Sequence, residues 1–259
     1  MLSRCGSLLL IAASVFAQSA TQPQPSAALQ QGTTDPSIQK LQSKLMTDEK
    51  TLQDWANLGR YSAENSKLPP PAAGEDRVVF MGDSITDFWG RGVGQFFPGK
   101  PYVNRGISGQ TTPQMLIRFR PDVIDLKPKV VVILAGTNDI AGNTGPMTLE
   151  QKEDNLASMA QLAHANGIRV VLASVMPVCD CYTAQTGKRP PAKILALNKW
   201  IEDYAKSNGA VYLDYYSATV DGHGSLKKEL TGDGLHPNAA GYQAMTPLAA
   251  KAIEQALAK

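Results

Sequence analysis

From about residue 76 onward, short runs of apolar, mostly β-branched residues alternate with longer segments whose apolar positions recur every three or four residues. The short runs match the period of a strand, and the longer segments match that of an amphipathic helix. We therefore predict strands at residues 78–80, 102–103, 130–134, 170–172 and 211–213. Helices are predicted at about 112–126, 149–166, 191–207 and 238–257.

The order of these elements predicts the fold class. The run at 130–134 is apolar at every position, as expected for a parallel strand that is covered on both faces. Strands that alternate with helices form parallel sheets with helices on either side. The sequence thus predicts a three-layer α/β/α domain, doubly wound around a central parallel sheet of about five strands.

The N-terminus has the composition of an export signal. Arg4 precedes a largely apolar run at residues 8–16, and small residues follow it. Such a run is too short to cross a bilayer. We predict a signal peptide over residues 1–20, cleaved after Ala17 or Ala20. The mature protein is then expected in the periplasm or outside the cell, with no integral membrane segment.

Two further segments precede the predicted domain. Residues 21–36 are rich in Gln, Ser, Thr and Pro, which predicts a flexible linker. Residues 37–75 are predicted to form a helical extension packed onto the main body, because apolar residues recur there at helical spacing. These residues are Ile38, Leu41, Leu45, Leu52, Trp55, Leu58 and Tyr61. The domain itself is assigned to residues 76–259.

Overall composition narrows the class of partner. The chain is 43% hydrophobic and 19% charged, with 25 basic and 23 acidic residues, which excludes a collagen, a coiled coil or a disordered acidic tail. The near balance of charge predicts no nucleic-acid partner, and the oligomeric state is left open. Cys179 and Cys181 are compatible with a loop disulfide, with free thiols or with a metal site.

Candidate chemistry lies just after the predicted strands, where the ligand site of a parallel sheet is found. Ser84 follows the first strand in Gly-Asp-Ser-Ile. A serine hydroxyl becomes a good nucleophile when a base takes its proton, and His236 is the best candidate base. Asp233 precedes that histidine by one helical turn and is suited to orient its imidazole. Ser84, Asp233 and His236 are therefore the predicted catalytic residues.

Acyl transfer also needs hydrogen-bond donors for the oxyanion of its transition state. The backbone amides of Ser84 and Gly106 and the side-chain amide of Asn138 are the predicted donors. Each motif alone has an ordinary structural explanation, such as a capped turn. Their joint occurrence after successive predicted strands favours catalysis.

These blocks resemble those of the SGNH hydrolases, also called the GDSL esterase and lipase family. The resemblance covers the whole predicted domain and rests on four blocks: Gly-Asp-Ser-Ile at 82–85, Asn-Arg-Gly-Ile-Ser-Gly at 104–109, Gly-Thr-Asn-Asp at 136–139 and Asp-Gly-Leu-His at 233–236. It implies a flavodoxin-like fold, cofactor-free ester hydrolysis and an acyl-serine intermediate. It does not imply one substrate.

No metal or cofactor is predicted. Asp83 and Asp139 suggest a metal pair, but no cluster of ligands at suitable spacing completes them. Asp83 is instead expected to brace the serine turn by accepting hydrogen bonds from backbone amides.

Substrate contacts are predicted from the segment after the nucleophile. Phe88 and Trp89 are expected to line the substrate site, whereas core packing is an equally good interpretation for Phe96 and Phe97. No long apolar lid segment follows, which favours a short acyl group, chiefly acetyl. An exported esterase of this class often resembles carbohydrate O-deacetylases, so the resemblance implies an O-acetylated glycan as the ester. A lysophospholipase or lipase-like esterase, an acyltransferase and a non-catalytic ligand-binding module are the alternatives.

Overall fold

The computed structural model describes residues 35–259. The predicted signal peptide and almost all of the predicted linker lie outside the described residues. Within them the chain divides into two units between Thr47 and Asp48. The first unit contains the start of helix α1 (Pro36–Gln53), where the side chains of Leu41 and Leu45 are exposed.

The second unit is built on a five-stranded parallel sheet with strand order β2-β1-β3-β4-β5. The strands are β1 (Val78–Gly82), β2 (Tyr102–Gly106), β3 (Val130–Leu134), β4 (Arg169–Ala173) and β5 (Val211–Leu213). Every residue of β1 and β3 is buried, which explains why these central strands are apolar on both faces. The predicted fold class is confirmed.

Helices cover both faces of the sheet. The helices that follow α1 in the chain are α2 (Ser62–Lys67), α3 (Ser84–Asp87), α4 (Thr112–Asp122), α5 (Thr137–Ala141), α6 (Leu149–Ala165), α7 (Pro191–Ser207), α8 (Tyr215–Thr219) and α9 (Ala239–Leu257). Of these, α4, α6 and α7 lie in one core and α9 in the other. Short 3₁₀ turns lie at Leu58–Arg60, Ile124–Leu126 and Lys228–Leu230. The predicted helix at 112–126 ends earlier, at Asp122, because Val123 leaves helical geometry with φ −128° and a 3₁₀ turn follows.

Alternate residues of each strand enter two separate cores. Val131 and Ile133 of β3 belong to the cluster that includes buried residues of α4, α6 and α7. Val132 and Leu134 belong to the cluster that includes α9 and the aromatic residues after α3. This alternation follows from the twofold period of a strand.

The part of the extension that belongs to the second unit contacts the sheet's carboxyl edge. Tyr61 is buried, and its hydroxyl donates a hydrogen bond to the carbonyl oxygen of Gly106. The side-chain amide of Gln110 donates to the carbonyl oxygen of Ala56 at 2.7 Å. Leu52 and Leu58 are exposed, so the contact uses Tyr61 and backbone groups rather than the leucines of the predicted apolar face.

Among residues 35–259, no helix has the length and apolar character that crossing a membrane requires.

Candidate active site

Ser84 is the first residue of α3, directly after β1. The side chain of Asp83 caps this short helix, because its Oδ1 accepts a hydrogen bond from the amide of Ile85 at 2.9 Å. That contact is the brace expected of Asp83. The amide of Ser84 donates no hydrogen bond to any residue of 35–259, as is usual in the first turn of a helix. This amide is therefore available to donate a hydrogen bond to a bound anion.

His236 and Asp233 lie beside this serine. The Nε2 atom of His236 is 2.9 Å from Oγ of Ser84, and its Nδ1 atom is 2.6 Å from Oδ2 of Asp233. The other carboxylate oxygen of Asp233 accepts the backbone amides of Leu235 and His236. Burial alone would raise the pKa of Asp233, but the hydrogen bonds from His236 and these amides hold that pKa below its ordinary value. The carboxylate is thus ionised and fixed against the ring.

Of the two predicted substrate contacts, only Phe88 is at the surface. Its ring is 38% exposed, and the ring centroid lies 5.2 Å from that of His236. Trp89 is 2% exposed, and its Nε1 donates to the carbonyl oxygen of Gln95 at 3.0 Å. Trp89 packs against Phe80 and Tyr242 in the core, so the prediction that it contacts substrate is not supported. The chain turns directly after Phe88, whose carbonyl oxygen accepts hydrogen bonds from the amides of Gly92 and Val93.

Gly106 allows β2 to approach α3 closely, but its amide is already engaged. A Cβ atom on this glycine would lie 2.2 Å from the backbone nitrogen of Asp87. Its N–H donates to Oδ1 of Asn104 at 2.9 Å. In this conformation Gly106 therefore spaces the elements and has no free amide hydrogen for an oxyanion.

Gly109, three residues later, has the free amide that Gly106 lacks. No acceptor among residues 35–259 takes a hydrogen bond from its N–H. The preceding Ser108 donates to Oδ2 of Asp87 at the end of α3, through its amide at 3.1 Å and its hydroxyl at 2.7 Å. The carbonyl oxygen of the following Gln110 accepts a hydrogen bond from Asn138 at 3.0 Å. Gly109 thus lies between residues bound to the serine helix and to Asn138.

Asn138 is buried at the start of α5, after β3. One hydrogen of its Nδ2 goes to Gln110, as described above, which leaves the second free. Its Oδ1 accepts a hydrogen bond from Nη2 of Arg189 at 3.4 Å. The structure brings the Arg189 side chain here from the long loop after β4.

Two buried carboxyl groups lie among these residues. The pKa of Asp83 is raised to about 7, chiefly by burial and to a smaller extent by the nearby Asp139. Burial also raises the pKa of Asp139, although Thr112 donates to its Oδ1. The Oδ2 atoms of both have no hydrogen-bond partner among the described residues. Within residues 35–259 no group of three or more His, Cys, Asp or Glu side chains is arranged to hold a metal ion.

The loop between β4 and α7 supports the Asp233 segment. Cys179 and Cys181 form a disulfide, one of the three states that the sequence left open. The amide of Cys179 donates to the carbonyl oxygen of Gly234 at 2.9 Å. A Cβ at Gly234, whose φ is +91°, would lie 2.2 Å from the carbonyl oxygen of Cys179. Only glycine permits this approach between the loop and the His236 turn.

Sequence reasoning missed Arg189 and Gln110. Neither has a motif signal: Arg189 lies in a proline-containing loop, and Gln110 follows a glycine turn. Their contacts join elements that are distant along the chain, and no local pattern reports such contacts.

Comparison with known proteins places this arrangement in a family. The sequence model of the GDSL-like lipase/acylhydrolase family matches residues 80–244. The solved structure of a GDSL-like lipase from Bacteroides thetaiotaomicron is 48% identical, with a TM-score of 0.73, over 78% of this chain and 98% of that one.

Two curated relatives are similar over shorter stretches. Esterase TesA of Pseudomonas aeruginosa is 33% identical over 139 residues, 52% of this chain and 60% of that protein. The isoamyl acetate-hydrolyzing esterase 1 homolog of Bos taurus is 28% identical over 185 residues, 62% of this chain and 74% of that protein. The match covers 60% of the length of TesA and 33% of the length of another curated relative, a lipoprotein of Bacillus subtilis.

Proposed function

Because the chain belongs to the GDSL-like lipase/acylhydrolase family, we propose that it hydrolyses carboxylic esters through an acyl-enzyme formed on Ser84. The observation that carries this proposal is the unbroken hydrogen-bonded line from Ser84 Oγ through both ring nitrogens of His236 to Oδ2 of Asp233. Such a line supplies a nucleophile, a base and a group that fixes the tautomer of the base.

The reaction runs in two halves. Oγ of Ser84 attacks the ester carbonyl carbon while Nε2 of His236 takes the hydroxyl proton. The tetrahedral intermediate collapses with loss of the alcohol, which receives that proton from the imidazolium. Water then attacks the acyl-serine carbonyl carbon while His236 again accepts a proton. The second tetrahedral intermediate collapses as the imidazolium returns that proton to Oγ of Ser84, and the carboxylic acid leaves. Asp233 stabilises the imidazolium in both halves.

Three donors serve the oxyanion in this proposal. They are the amide of Ser84, the amide of Gly109 and the second hydrogen of Asn138 Nδ2. Gly109 replaces the originally predicted Gly106, whose amide is bound to Asn104. Fixed donors of this kind stabilise the charge that develops on the carbonyl oxygen without reorganisation.

The proposed substrates are short-chain esters, chiefly acetates, with O-acetylated glycans as the natural class. Phe88 is the exposed aromatic side chain beside His236, while Trp89 and Phe97 are buried. This leaves a small apolar surface next to the nucleophile. A curated relative named for isoamyl acetate hydrolysis is consistent with an acetyl preference. An exposed aromatic ring is also suited to stack on a sugar.

Export is part of the same proposal. The segment 1–20 has the signal-peptide composition described above. Disulfides such as Cys179–Cys181 form and persist in oxidising compartments outside the cytoplasm. N-terminal sequencing of the protein recovered outside the cytoplasm should begin at Gln18 or Thr21. An N-terminus at Met1 would contradict this part.

The test is hydrolysis of p-nitrophenyl acetate, butyrate and octanoate by the wild-type protein and by Ser84→Ala. The proposal predicts activity that falls with chain length and drops by on the order of 10⁶ in kcat in the variant. Ser66→Ala, which changes an exposed serine, is the matched control and should behave as wild type. Wild-type turnover in Ser84→Ala would overturn the mechanism, and a preference for octanoate would overturn the acetyl assignment.

A further inference from the structure

We propose that Arg189 is a positioning residue that holds the Asn138 amide in the one orientation that offers an N–H to the oxyanion. This inference rests on the proposed ester hydrolysis and adds a residue to its machinery. Arg189 touches no reacting atom in this account and acts through Asn138.

The guanidinium of Arg189 has three partners on two different elements. Its Nε donates to Oγ1 of Thr137 at 3.1 Å, and its Nη2 donates to Oδ1 of Asn138 at 3.4 Å. Its Nη1 donates to Oε1 of Gln185 at 2.9 Å. The residue is 7% exposed. A rigid planar fork buried in this way fixes its acceptors more firmly than a flexible ammonium would.

The contacts of Asn138 distinguish its oxygen from its nitrogen. Oδ1 faces the cationic guanidinium, and Nδ2 faces the carbonyl oxygen of Gln110 at 3.0 Å. Rotating the amide by half a turn would set its NH₂ against the guanidinium and its oxygen against that carbonyl. Both contacts would be repulsive. The observed orientation is therefore held at both ends, and one Nδ2 hydrogen stays available.

The charge of Arg189 is unusual for a buried arginine of this protein. Arg118 is also buried, but it forms an ion pair with Asp122 at 3.0 Å. Among residues 35–259, no carboxylate lies within 4.0 Å of Arg189. Burial lowers its pKa, while the more distant carboxyl groups of Asp83 and Asp233 act to raise it. No ion pair therefore draws the guanidinium away from its contact with Oδ1 of Asn138.

The same side chain also reaches the Asp233 segment indirectly. Gln185, held by Arg189, donates from Nε2 to the carbonyl oxygen of Asp233 at 3.5 Å and to the hydroxyl of Thr183 at 2.8 Å. That hydroxyl donates to the same carbonyl oxygen at 2.8 Å. Loss of Arg189 could therefore act through Asn138 or through Asp233, and the experiment must separate these routes.

A double-mutant cycle on p-nitrophenyl acetate hydrolysis does so. In the wild-type background, Arg189→Met should lower kcat by about tenfold to a hundredfold with KM changed less than about threefold. In the Asn138→Ala background the same change should lower kcat by less than about threefold, because the group that it positions is gone. Lys188→Met changes the exposed neighbour in the same loop and should leave kcat unaltered. Equal losses in both backgrounds would overturn the inference.

A second readout uses a boronic acid, which forms a tetrahedral adduct on a nucleophilic serine and places an oxygen where the oxyanion would lie. Arg189→Met should raise the inhibition constant of the boronic acid by the same factor by which it lowers kcat. Arg189→Lys covers the case in which the Met variant does not fold: it keeps the charge but loses the fork, so its kcat should stay low. Full kcat in Arg189→Lys would contradict positioning by the fork.

Failure of the inference and failure of the proposed function look different. If Ser84→Ala remains active, the proposed mechanism itself is wrong. If Ser84→Ala and Asn138→Ala lose activity as expected but the cycle is additive, only the role given to Arg189 is wrong.

Discussion

The interiors of β1 and β3 and the residues that immediately follow them are buried to a similar degree but differ in chemistry. Within the strands, every side chain is apolar. After them, residues 83–86 and 137–139 are also buried, yet they are mostly polar, and the Oδ2 atoms of Asp83 and Asp139 have no partner among the described residues. A buried polar atom without a hydrogen bond costs stability.

This contrast shows how the protein divides its tasks. The sheet interior provides stabilising burial, and the carboxyl edge holds the buried polar groups to which the proposed function assigns the reaction. Substitutions at the edge should therefore change activity more than stability, and substitutions in the interior should do the reverse. Four substitutions test this division, in order of decreasing effect.

Asp233→Asn should lower kcat by on the order of 10⁴, because an amide no longer holds the His236 tautomer that accepts the serine proton. The unfolding temperature should change little, since the asparagine oxygen can still accept the amides of Leu235 and His236. Asp221→Asn is a matched control: Asp221 accepts amides of its own exposed turn and lies outside the site. An Asp233→Asn enzyme that keeps more than about a tenth of wild-type kcat would contradict the division between a stabilising interior and an active carboxyl edge.

Asn138→Ala should lower kcat by on the order of 10²–10³, as expected for loss of one oxyanion donor. Kinetics with p-nitrophenyl acetate measure this loss of activity. A thermal melt of the same sample checks that stability changes less than activity does. Wild-type turnover would remove Asn138 from the oxyanion site.

Ile253→Ala tests the interior. Ile253 of α9 is fully buried against the sheet, and truncation of such a side chain costs about 2–5 kcal/mol through lost burial and the cavity left behind. Urea unfolding measures the loss. At urea concentrations below the unfolding transition, kcat should stay within about twofold of wild type. A large fall in kcat while the protein is still folded would mean that substitutions in the interior affect activity as much as substitutions at the edge do.

Asp83→Asn should alter the pH dependence of stability. The pKa of Asp83 is raised from 3.8 to about 7, chiefly by burial. Between those values the folded protein keeps a proton that the unfolded chain releases, so the free energy of unfolding falls as pH rises and levels off above about 7. The asparagine cannot ionise, so urea unfolding between pH 4 and 8 should show a shallower decline. An unchanged slope would exclude an ionisable Asp83 as its source.

Sequence patterns predicted the layers and the edge because both depend on local residues. The β-branched run at 130–134 identified β3, and the helix predicted at 191–207 has the bounds observed for α7. Short helices such as α5 escaped notice because a five-residue helix has too few turns to display a period. Their existence depends on the strand end that they follow.

The predicted site was less complete than the fold for a related reason. Ser84, Asp233 and His236 lie together as the motifs predicted. The engagement of Gly106 by Asn104 and the arrival of Arg189 at Asn138 depend on side-chain directions that spacing does not report. Trp89 and Phe88 are neighbours of similar character, and only the turn of the backbone decides which one faces solvent.

The central claim is that Ser84 carries the acyl group during turnover. Acid quenching of the protein during hydrolysis of p-nitrophenyl acetate, followed by mass spectrometry of its peptides, tests this directly. The account predicts one added acetyl group on the peptide that contains Ser84 in the wild-type protein and none in Ser84→Ala. Steady turnover with no acetylated serine at any quench time, or acetylation of another residue that tracks turnover, would contradict it.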